Sequence, residues 1–145
     1  MKIVAAAIVR NGNKVLLARR GPGSKLSGKW EFPGGKVEAT ESLEDCLTRE
    51  LDEELGVRVC VGGHLCSSEF VYDHGGFRIE AFWVEILAGE LAPKVHDLLD
   101  WVAPNELRQY DLLPADVPIS EAVAAHFLNR AGCDPLPARE ASFRQ

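Results

Sequence analysis

The chain has 145 residues, 46% of them apolar and 26% charged, with a formal net charge of −6. Such proportions fit one globular domain with a proper core. They exclude a membrane-spanning segment, since no apolar run reaches the necessary length, and a general nucleic-acid binder, which would carry a basic stripe. A phosphate substrate stays open, because a bound divalent cation inverts the local field of an acidic site.

The first ten residues are apolar but short and lead into Arg10-Asn11-Gly12-Asn13-Lys14. That is a turn and not a cleavage site, so the segment reads as a strand rather than a signal peptide. Ile3–Val9 and Val15–Ala18 are expected to form a hairpin. A polar loop from Gly21 to Gly28 follows. Trp30-Glu31-Phe32 is a short apolar return, stopped by Pro33-Gly34-Gly35. Thr40 is the expected N-cap of an acidic helix with Leu43 as its first packed residue, and Gly56 ends it. Val57–Val61 and Leu65–Tyr72 read as two extended segments. Asp73-His74-Gly75-Gly76 is a turn into a long strand, Phe77–Leu87. Arg78, Glu80, Phe82 and Val84 share one face of that strand, and Ile79, Ala81 and Trp83 the other. Leu98–Val102 is a further strand. Pro104 opens a short helix, Pro114–Pro118 is a loop, and Ile119–Arg130 is a second amphipathic helix. The stretch from Gly132 onward is polar and aperiodic. The expected division is therefore a domain at 1–131 and a flexible tail at 132–145. Strands with two main helices predict an α/β sandwich around a mixed sheet. Cys46, Cys60, Cys66 and Cys133 show no metal-ligand or C-x-x-C spacing, as expected of reduced thiols in a cytoplasmic protein.

The acidic helix carries the chemistry. Glu50, Glu53 and Glu54 stand at i, i+3 and i+4, on one face, and repel one another unless a cation sits among them. A hard divalent ion, which prefers oxygen ligands, is the simplest partner. With Glu50 at 0° and about 100° per residue, Leu43, Leu47, Leu51 and Leu55 form an apolar stripe from about 20° to 140°. Glu54, near 40°, lies inside that stripe, Glu50 borders it, and Glu53 falls near 300°. Glu41, Asp45 and Asp52 fall near 180–220°, where a solvated face belongs.

The residues Gly35, Glu41, Arg49, Glu50, Leu51, Glu53, Glu54, Gly56 and Val57 stand at the spacing of the Nudix box, and the chain resembles the Nudix hydrolases over roughly Ile3 to Leu128. Gly28–Lys36 is similar to the MutT-type branch. Leu112–Pro118 is most similar to the bacterial CTP pyrophosphohydrolase subgroup. The resemblance implies a Nudix α/β/α sandwich in a single domain. It implies Mg²⁺ or Mn²⁺ as cofactor and hydrolysis of a nucleoside triphosphate to a monophosphate and pyrophosphate. CTP, dCTP or a modified pyrimidine nucleotide is the expected substrate, with 8-oxo-dGTP as the alternative. A non-catalytic nucleotide-binding module is the alternative of another class, but such a module would not need all three acids. The expected partner is the nucleotide alone, without a nucleic acid polymer or a membrane, and the expected assembly is a monomer or homodimer.

By the same analogy Glu50, Glu53, Glu54 and the Gly34 carbonyl would hold the metal. Arg49 would orient a carboxylate by a charge-assisted hydrogen bond, and Glu53 is assigned as general base. Glu41 is expected to be structural, in the first turn of the helix. Arg20 matches an arginine that contacts the nucleotide, the alternative being that Arg19 and Arg20 form a solvated pair at a strand end. Asp116 stands where the CTP subgroup carries Asp and MutT proper carries Asn. It could accept from the exocyclic amine of cytosine or simply cap the second helix. Phe32 and Arg78 complete the expected substrate-binding set. Where relatives place an extra acid six residues before Trp101, this chain has Val95, so Asp97 is the candidate replacement and His96 is expected to be an exposed loop residue.

Overall fold

In the computed structural model, which describes residues 1–72 and 75–129, seven strands and two helices follow one another along the chain. They are β1 (Lys2–Asn11), β2 (Lys14–Arg20), β3 (Trp30–Glu31), β4 (Gly34–Lys36), α1 (Leu43–Leu55), β5 (Arg58–Tyr72), β6 (Gly75–Ala88), β7 (His96–Val102) and α2 (Val117–Asn129). Two 3-10 turns, Pro104–Gln109 and Pro114–Asp116, precede α2. The expected boundary at 131/132 and the tail lie outside the described residues, as do Asp73 and His74 of the expected turn. No helix among the described residues is long and apolar enough to cross a membrane.

The sheet is mixed, in the order β3-β2-β1-β6-β5, with β4 pairing β1 and β7 pairing β2. β1 runs parallel to β6, while its other pairings and the β5–β6 ladder are antiparallel. Alternation along β1 divides the interior into two cores. Ala5, Ala7 and Val9 meet Cys46, Leu47, Leu51 and Leu55 of α1. Ala6 and Ile8 face Ile79, Ala81, Phe32, Leu107, Ile119 and Val123, under α2 and the 3-10 turns. A helix thus covers each side of the sheet, as the two-faced reading of β6 implies.

Several local expectations are corrected. Thr40 does not cap α1: its φ of 66° places it in a left-handed turn. Ser42 takes the cap instead, in extended conformation, with its Oγ accepting the Asp45 N–H at 3.0 Å. Gly56 closes the helix as expected, at φ 71°, with its N–H on Asp52 O. The segments on either side of Gly62-Gly63 belong to one strand, whose register shifts between Val61 and His64 and again before Cys66. Bulges absorb what looks like a break. The second helix begins at Val117, because the fixed φ of Pro118 already suits the first turn of a helix.

Candidate functional site

Gly34 and Gly35 put the β1–β4 edge against the α1 acids. A Cβ on Gly34 would lie 2.0 Å from the Ala5 carbonyl oxygen, so the close approach of two backbones excludes any side chain there. A Cβ on Gly35 would lie 2.4 Å from the carboxylate carbon of Glu50, so this strand is the floor on which Glu50 rests.

Arg49 organises the acids beside it. Its Nη1 donates to Glu50 (2.8 Å) and Glu53 (3.2 Å), while Nε and Nη2 grip the two oxygens of Glu41 (2.7 and 3.1 Å). Glu41 lies before the helix and not on it. It is folded back under Arg49, where its side chain is only 13% exposed, and the solvated place assigned by the helical wheel is corrected. The Arg49 hydrogen bonds, with help from the Glu38 N–H, hold the Glu41 carboxyl down at about 2. Asp45 and Asp52 face solvent as expected.

The three helix acids are in unequal settings. Glu53 is 59% exposed and held by Arg49. Glu54 is turned inward, and its Oε2 is buried without a hydrogen-bond partner. Burial, then the hydrogen bond and charge of Glu50 and the charge of Glu31, push its carboxyl far above the usual carboxylate range, while Arg20 pulls the other way. Among the described residues, no three His, Cys, Asp or Glu side chains are gathered so as to hold an ion as they stand. The chemistry of the donors nevertheless fits a hard cation. Two touching carboxylates, one with a buried orphan oxygen, form the arrangement that a divalent ion relieves.

Glu31 is the residue that sequence reasoning missed. Its Oε1 accepts from Arg20 Nη1 (3.0 Å), and its Oε2 meets Nε2 of His96 (2.8 Å). The available signal was an acid inside an apolar return between Trp30 and Phe32, since buried acids need partners. His96 is buried, which corrects the exposed-loop expectation. The cause is a bulge: Arg19 pairs with Leu98 and Arg20 with His96, so Asp97 is the extra residue and the ring of His96 turns inward. Asp97 is turned to Arg19, which donates to both of its oxygens (2.8 and 2.9 Å). Arg19 and Arg20 are therefore each paired and not a solvated couple, and Arg20 also donates to Lys25 O at 2.6 Å.

Asp116 and Phe32 are brought together. Backbone bonds from Trp30 to Asp111 (2.8 Å) and from Leu113 to Trp30 (2.9 Å) lay the 111–113 segment along β3. The Phe32 N–H then donates to Asp116 Oδ2 at 3.0 Å. Asp116 thus serves the end of β3, in place of the helix-capping alternative. It is only 3% exposed. Burial and then the charge of Glu31 raise its carboxyl to about 8, against the opposing pull of the Phe32 N–H and Arg20. Arg78 is not brought to this group. It stands between Glu69 (3.0 Å) and Glu80 (3.8 Å), one residue before core-facing Ile79 and hence on the opposite face of the sheet.

A mixed α/β sandwich with two inward acids over a glycine floor is an arrangement that suits metal-assisted hydrolysis. The NUDIX domain pattern matches residues 1–127, and the chain belongs to the Nudix family of hydrolases, which generally use a divalent metal. It is 42% identical over 125 residues to the CTP pyrophosphohydrolase of Escherichia coli K12, covering 86% of this chain and 92% of that one. It is also 42% identical over 117 residues to the putative 8-oxo-dGTP diphosphatase 2 of Mycobacterium tuberculosis, covering 79% and 81%. The solution structure of the E. coli ORF135 protein superposes with a TM-score of 0.80 at 39% identity, covering 90% and 94%.

Proposed function

We propose that this Nudix hydrolase is a Mg²⁺-dependent (or Mn²⁺-dependent) pyrophosphohydrolase acting in the cytoplasm on CTP, dCTP or a modified pyrimidine nucleotide. It would yield the monophosphate and pyrophosphate. Glu50, Glu54, Glu53 and the Gly34 carbonyl would hold the ion. Once bound, the ion would screen the triphosphate and make water more acidic. Water then adds across one anhydride: its oxygen bonds to phosphorus, the bridging P–O bond breaks, and the proton passes to a carboxylate. Glu53, the exposed acid of the three, is the general base of this reading, and Arg49 fixes the starting positions of Glu50 and Glu53.

The observation that carries the substrate reading is the buried Asp116 carboxyl, held neutral up to about 8 with Oδ2 occupied by the Phe32 N–H. A neutral carboxyl offers a donor beside an acceptor, the complement of the N3 acceptor and N4 amine of cytosine. This adds a donor to the acceptor expected of Asp116 from the sequence. Asp116→Ala, which removes donor and acceptor together, should lower kcat/KM for dCTP relative to 8-oxo-dGTP, with pyrophosphate release as the assay. An unchanged ratio would remove base reading from Asp116. Orthophosphate release without pyrophosphate would contradict the bond cleaved. An 8-oxo-dGTP diphosphatase is the second reading. It is supported by the mycobacterial relative, which matches this chain at the same identity as the CTP enzyme.

A further inference from the structure

The 3-10 turn that carries Asp116 has a gap in its own hydrogen bonding. Asp116 N–H reaches Leu113 O at 2.9 Å, and Val117 N–H reaches Pro114 O. The next bond of the series would run from residue 118 to the Ala115 carbonyl, but residue 118 is proline and has no N–H. Ala115 is buried, and a buried carbonyl needs a donor. Ser68 supplies it. This serine sits on β5 at 6% exposure, opposite Ile79 in the ladder, and its Oγ donates to Ala115 O at 3.0 Å. A hydroxyl on the core side of a strand is out of place unless it has such a task.

The turn is therefore held from two directions. On one side β3 binds it through Leu113 N–H to Trp30 O (2.9 Å) and Phe32 N–H to Asp116 Oδ2 (3.0 Å). On the other side Ser68 holds it from β5, the far edge of the sheet. We propose that Ser68 is a specificity-positioning residue, whose hydrogen bond to Ala115 sets where the Asp116 carboxyl stands toward a bound base. The inference rests on the base-reading role proposed for Asp116. Ser68 acts one residue away from it, through the backbone.

The test is a double-mutant cycle on the full chain, read as the ratio of kcat/KM for dCTP to that for 8-oxo-dGTP, with thermal melts alongside. Ser68→Ala leaves the Ala115 carbonyl buried and unpaired, and the ratio should fall about fivefold, the equivalent of one ordinary hydrogen bond. In an Asp116→Ala background the same substitution should move the ratio no further. Ser68→Cys, with a weaker donor, should fall between Ser68→Ala and wild type, and it carries the test if Ser68→Ala does not fold. If Asp116→Ala shifts the ratio while folded Ser68→Ala or Ser68→Cys leaves it at the wild-type value, Ser68 is only structural and the proposal is overturned with base reading intact. If Asp116→Ala itself leaves the ratio unchanged, base reading fails and the role of Ser68 falls with it.

Discussion

Gly35→Ala is the substitution whose effect the structure defines most sharply. The added methyl would lie 2.4 Å from the Glu50 carboxylate carbon and 2.6 and 2.7 Å from its oxygens. Since ordinary contact begins near 3.4 Å, the carboxylate must retreat by about 1 Å. What retreats is the end of a flexible side chain, so the fold should survive. The displacement falls on the acid that accepts Arg49 at 2.8 Å and lies beside the orphan oxygen of Glu54. A misplacement of about 1 Å at a reacting centre costs roughly 100-fold in rate. Gly34→Ala is the matching contrast. There the methyl meets the Ala5 carbonyl oxygen at 2.0 Å, which is backbone and cannot swing away. Pyrophosphate release from dCTP and thermal melts, run on both variants, separate the two effects. Gly35→Ala should be folded and about 100-fold slow, and Gly34→Ala should be lost as a folded protein. A folded Gly35→Ala with wild-type kcat/KM would refute the claim that Glu50 works from its seat on this strand.

Two further outcomes follow from the site. The folded chain keeps the Asp116 proton up to about 8, whereas an unfolded one releases it near the ordinary carboxylate value of about 4, so this residue's contribution to stability is largest in acid and is lost as pH rises toward 8. In chelator-treated samples the Tm of wild type minus that of Asp116→Asn should therefore fall between about pH 5 and pH 8. A constant difference would show that Asp116 is ionised throughout. Arg49→Lys keeps the charge but loses the fork that reaches Glu41, Glu50 and Glu53 together. Mn²⁺ affinity by isothermal titration should weaken by about tenfold, as is usual for residues that orient metal ligands. Wild-type affinity would place the organisation of the acids elsewhere.

The acidic helix was legible because its cause is local. The spacing of Leu43, Leu47, Leu51 and Leu55 states which face is buried, and Glu54 inside that stripe already announces an acid turned inward. Glu41 was misplaced because a wheel assumes that the helix extends to it, whereas Ser42 begins the helix and Arg49 draws Glu41 back from outside. Thr40 and Ser42 are both good caps by type, and only backbone conformation decides between them. The Glu31–His96 pair joins residues 65 positions apart. It depends on a bulge at Asp97 that no residue type in that segment advertises, so an alternating pattern read without the bulge turns His96 outward. Ser68 and Ala115 are also far apart in sequence, although the proline that cannot supply Ala115 O with a backbone donor is plain to see.

Glu31 also connects the two halves of the site. Its carboxylate spans Arg20 (3.0 Å) and His96 (2.8 Å), and its charge bears on both Glu54 and Asp116. Burial comes first in raising Asp116, and Glu31 comes next. Glu31→Gln removes that like charge and releases Arg20, the cation that opposes it. Both changes favour the ionised form of Asp116, so its midpoint should move below the wild-type value of about 8 while burial keeps it above the ordinary carboxylate range. Carboxyl ¹³C titration of Asp116 by NMR in wild type and Glu31→Gln measures this directly. A midpoint that does not move would mean that burial alone holds the Asp116 proton, and that the acids on α1 and the loop before α2 titrate independently. A lowered midpoint would tie the donor state of Asp116 to the charge around the α1 acids, because the charge of Glu31 bears on both Glu54 and Asp116.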